Sequence, residues 1–85
     1  MAIRETFAKL SARASSVRNT LQNLQRSQAA SGLGMSSNLL TPWNLMESFL
    51  KGASDAINAS DITAAQDLMN KADRQIDRLE TALNK

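Results

Sequence analysis

The sequence predicts an all-α fold: one domain spanning residues 1–85, built as an up-down-up three-helix bundle with coiled-coil-like helices 1 and 3. Three observations carry this. Apolar residues recur at helical spacing in three separate stretches, clusters of helix-breaking residues divide them, and residues suited to capping a helix stand before the second and third.

In the first stretch the apolar positions are Ile3, Phe7, Leu10, Ala14, Val17, Leu21 and Leu24, with Gln28 next in line. Intervals alternate between four and three, the spacing of a heptad repeat, which gives a narrow seam suited to coiled-coil packing. A helix over about residues 2–30 follows, roughly 42 Å long. "SGLGMSSN" then breaks it, and Gly32 stands where a left-handed residue ends a helix.

The expected loop covers 31–41. Thr41 reads as an N-cap, Pro42 as the first helical residue, and Leu40 with Leu45 as a hydrophobic staple, so helix 2 is placed at about 42–58. On a wheel, Trp43, Leu45, Met46, Phe49, Leu50, Ala53, Ala56 and Ile57 share one broad arc that reaches two neighbours, with Trp43 and Leu50 at its rim. Ser60 or Asp61 caps helix 3, about 61–84. There Ile62, Ala65, Met69, Ala72, Ile76, Leu79 and Leu83 form a second heptad seam, widened by Leu68.

These lengths do not match. Helix 1 exceeds the expected helix 2 by about ten residues, so one end of its seam requires cover from the loop or from another chain. The residues expected at that interface are Ile3, Phe7 and Leu10 at the seam end, with Leu33, Met35 and Trp43 at the loop end. A chain this short buries a modest share of its surface, which makes self-association a route to stability.

Composition narrows the chemistry. Cysteine and histidine are both absent. No thiolate, disulfide or imidazole is therefore on hand, which removes the usual zinc ligands and the usual neutral-pH acid–base, and fits a cytoplasmic protein. Serines are plentiful, yet none has a recognisable base to activate it. "SGLGMSS" lacks the third glycine of a dinucleotide loop and the lysine of a P-loop, so it reads as a helix stop. Asp73, Asp77 and Glu80 share one ridge of helix 3, but carboxylate metal centres in bundles add histidines; the expected partners are the arginines of helix 1. The sequence thus predicts no catalytic residue, no cofactor and no metal.

Charge is uneven. Arg4, Lys9, Arg13, Arg18 and Arg26 face Glu5 alone within residues 1–30, an Arg- and Ser-rich composition that a transit peptide shares, although the apolar spacing is stricter than such a peptide needs. Those bases flank both sides of the seam rather than forming one stripe, and two of the three aromatics, Phe7 and Phe49, lie on core faces. The function expected from the sequence is a non-enzymatic protein-interaction or oligomerisation module. Its partner is a protein or a second copy, a homo-oligomer, in preference to nucleic acid, with no membrane span. The alternative is binding of nucleic acid or an anionic surface through the basic first helix, and a narrow seam with Ala14 at its middle suits protein packing better than a lipid surface.

Overall fold

The computed structural model describes residues 2–84 and shows three helices: α1 (Ala2–Ala30), α2 (Ser37–Asn58) and α3 (Ile62–Leu83). They run up, down and up in a rod 45 × 17 × 16 Å. The seams read from the sequence form the core. Ile3, Leu10, Ala14, Val17 and Leu21 of α1 are buried, as are Ala65, Met69, Ala72, Ile76 and Leu79 of α3, against Met46, Leu50, Ala53 and Ile57 of α2.

The backbones of α2 and α3 approach each other most closely. Small residues permit this: Ala53, Ala65 and Ala72 are fully buried, and a Cβ added at Gly52 would stand 3.1 Å from a Leu68 methyl. Helix α1 stands farther off on bulkier seam residues and is tied on by charge as well as by burial.

Both connections are closed by the same hydrogen-bonded helix stop. After α1, Leu33 N–H donates to Gln28 O and Gly32 N–H to Ala29 O, with Gly32 at φ 77° as expected. After α2, Asp61 N–H donates to Ala56 O and Ser60 N–H to Ile57 O, which places a serine at φ 61° where glycine is usual. Asp61 then caps α3 by accepting from Ala64 N–H at 3.2 Å.

Helix α2 starts five residues earlier than the sequence reading placed it. Ser36 is extended and its hydroxyl accepts from Asn38 N–H at 3.1 Å, so Ser36 is the cap and the loop is only 31–36. Pro42 consequently lies inside the helix and is buried, where its missing N–H leaves Asn38 O without its usual i+4 donor. Packing offsets that loss. Met35 and Leu39, which the added turn brings in, lie against the core. The staple also shifts, since Met35 and Leu40 hold the staple positions relative to Ser36, while Leu45 is 36% exposed. Leu50, expected at the rim, is buried in the core.

Candidate interaction surface

The expected interface residues separate into two groups. Ile3 and Leu10 are buried within the bundle and Phe7 is half-buried against it, so the first turns of α1 are not the open end. Earlier onset of α2 does not cause this; the hairpin register does. It brings Ser54, Ile57 and Asn58 of α2 beside Arg4 and Phe7, and sets Gln66 and Met69 of α3 beside Thr6 and Leu10. Met35 and Trp43 are half-buried and packed on the core, whereas Leu33 is 63% exposed.

The overhang lies at the other end. Ser16, Val17 and Thr20 of α1 border one recess with Glu80, Leu83 and Asn84, which sets the last turn of α3 level with Thr20. Helix α1 continues for ten residues more, about 15 Å, before the 31–36 loop turns back to α2. Leu24 follows Val17 by two turns and therefore faces the side that α3 occupies lower down. It is only half-buried and stands outside the packed core. Gln28, one turn on, has its Oε1 buried without a hydrogen-bond donor. Leu33 is left in solvent because the usual apolar contact of this helix stop falls here on Gln28 or Ser27.

This end is almost uncharged. From Asn19 to Met46 the only ionisable side chain is Arg26, and the remaining nine bases and eight acids all lie elsewhere. Arg26 itself contacts Gln22 O and Asn23 Oδ1 rather than an acid. The nearly charge-free stretch is visible in the sequence; that α1 runs on past the last turn of α3 is not.

Six charged side chains at the other levels tie helices together. Arg13 donates to Asp73 at 2.6 Å, Asp77 at 2.9 Å and Glu80 at 2.7 Å, so the acidic ridge of α3 surrounds one arginine of α1. Hydrogen bonds to Glu80 and Asp77 raise the Arg13 pKa well above its ordinary value, against opposing burial. On the opposite flank Arg18 grips Glu47 of α2 with two hydrogen bonds, Nε to Oε2 at 2.6 Å and Nη2 to Oε1. That contact raises Arg18 and, with a further hydrogen bond from the Trp43 indole, lowers the Glu47 pKa despite partial burial.

A groove of about 480 Å³ runs between α1 and α3, floored by Leu10 and Met69 and walled by Thr6, Lys9, Arg13, Gln66, Asn70 and Asp73. Its charged wall belongs to the Arg13 network, and Lys9 faces Glu5 at 3.8 Å. Among the described residues no group of three acids stands in a metal-holding arrangement, and no helix is long and apolar enough to cross a membrane. Comparison with protein-family models, with curated proteins and with solved structures found no match, so no function reaches this chain by likeness.

Proposed function

We propose that this chain is a small, non-enzymatic helical module that binds protein through the end of the rod formed by the last turns of α1 and the 31–36 loop. One observation carries the reading: the segment from Asn19 to Ser36 combines incompletely covered Leu24, Leu33 and Met35 with a single charge, Arg26. Protein interfaces are depleted in charge at their centres and enriched in Trp, Met and Arg, the residue types Trp43, Met35 and Arg26 supply here. A partner helix lying along Leu24 and Gln28 would extend the heptad seam of α1 in coiled-coil fashion. A cytoplasmic setting fits the lack of cysteine.

Binding of nucleic acid or an anionic surface through α1 has less support. Arg13 and Arg18 are engaged by acids of α3 and α2, and Arg4 and Arg26, which make no ion pair among the described residues, stand 22 positions apart, roughly 33 Å. A photo-crosslinking side chain placed at Leu33 or, as control, at Lys51 tests the module reading in extract from the source cells. Protein adducts from position 33 alone support it. Adducts from neither position, together with salt-sensitive retention on anionic vesicles or RNA, favour the anionic alternative.

A further inference from the structure

We infer that residues 34–41 form a lid over the end of α1, with two stable positions: the closed one of this structure, and an open one in which α2 begins at Thr41–Pro42. The inference rests on the interaction-module reading and adds regulation to the same end of the rod. A complete second helix start lies inside α2 and is idle in the closed form. Thr41 is exposed and its hydroxyl makes no hydrogen bond among the described residues. Leu40 and Leu45 both lie outside the packed core, Leu45 at 36% exposed. Starting α2 at Pro42 engages all of them. Thr41 becomes the N-cap and accepts from Asn44 N–H, the proline supplies the first helical residue, and Leu40 and Leu45 take the staple positions.

The closed position carries two local penalties that opening removes. Pro42 has no N–H for Asn38 O, so the turn from Ser36 to Thr41 joins the rest of α2 across a gap in the hydrogen-bond ladder. Gln28 Oε1 is buried without a donor. The last turn of α3 is level with Thr20, and Gln28 lies about 12 Å farther along α1, where the returning 31–36 segment is the chain that covers it. Opening returns that oxygen to water. On the closed side stand the Ser36 cap, 3.1 Å from Asn38 N, and the half-buried Met35 and Leu39 on the core. Contributions of similar size on each side keep the two positions close in free energy. The helix stop that binds Gln28 O and Ala29 O belongs to α1 and is kept in both. Withdrawing Met35 and Leu39 bares the α1 seam beyond Leu21, with Leu24 on it.

Native-state hydrogen exchange of the intact chain, followed residue by residue by NMR, tests this. The amides of Leu39 to Trp43, apart from Pro42, donate to carbonyls that leave with the lid, whereas that of Leu45 donates to Thr41 O in both positions. Leu39, Leu40, Thr41 and Trp43 are expected to share one opening constant, with exchange at least about tenfold slower from Leu45 onward. A gradual slowing along residues 39–47 is ordinary fraying and overturns the inference. Ser36→Ala removes the cap of the closed form and is expected to raise the shared constant about fivefold. Thr41→Val removes the cap of the open form at nearly unchanged helix propensity and is expected to lower it by about the same factor, while Thr41→Ser leaves it near its original value. A helix with a single start gives no such slowing, so exchange that Thr41→Val leaves unchanged or speeds also overturns the lid. Protein adducts from position 33 without a shared opening reject the lid and leave the module reading standing. The expected opening without adducts rejects the module reading and leaves the lid.

Discussion

Ser60 is the one non-glycine residue with positive φ among the described residues, and it closes the hairpin of α2 and α3. An L-residue in that conformation costs roughly 1–2 kcal/mol, and glycine removes the cost while giving part of it back as chain entropy in the unfolded state. Ser60→Gly should therefore stabilise the protein by about 0.5–1 kcal/mol, read as a higher urea midpoint with an unchanged slope. Gly32 has the same backbone role after α1, and no atom lies within 4 Å of a Cβ built there. The sequence made that glycine legible, because glycine announces the conformation. It hid Ser60, because serine is equally at home as a cap and only the hydrogen bonds to Ala56 and Ile57 distinguish the roles. Trp43 was similarly half-legible: the wheel put it at the rim of the core face, while its indole contact with Glu47 depends on how Glu47 is aimed by Arg18.

At the scale of the element, the start of α2 shows two signals in competition. Thr41–Pro42 is a strong local signature, yet Ser36 caps the helix and Pro42 is carried inside it. The extra turn brings Met35 and Leu39 onto the core, a gain that no local rule registers. Ser36→Ala should cost about 1 kcal/mol of stability by urea denaturation, whereas Thr41→Ala should change it by less than about 0.5. The reverse ranking would return the start to Pro42. The tie between α1 and α2 is open to a pH test. Glu47 titrates below its ordinary value of 4.5 in the folded state, so the unfolded chain takes up this proton first. The stability the pair contributes is fully present above about 4.5 and is lost as pH falls through the lower folded value. Urea midpoints should drop along that acid limb with a parallel change in Trp43 emission, and Glu47→Gln should flatten both.

For the molecule as a whole, the buried seam of α1 ends at Leu21. Leu21 is fully buried, and Leu24, one turn farther, is half-buried and outside the packed core. Leu21→Ala should accordingly cost about 2–5 kcal/mol, a large share of the stability of a domain this size, and Leu24→Ala about 1 or less in the monomer. Thermal denaturation of the two variants at low concentration measures the difference.

By itself the sequence determined the three helices, their seams and the charged flanks, because spacing along a helix fixes which side chains share a face whatever the helix meets. It also pointed the acidic ridge of α3 toward the arginines of α1, of which Arg13 takes all three acids. Tertiary structure decided the register, and register decided the surface. Placing the turn of the α2–α3 hairpin level with the beginning of α1 buried Ile3 and Leu10 and moved the overhang to Leu24, Gln28 and Leu33. Two seams of equal period can slide past each other by whole turns and still match, so periodicity cannot choose among those positions; the Arg13 and Arg18 contacts and the close approach of Gly52 to Leu68 do.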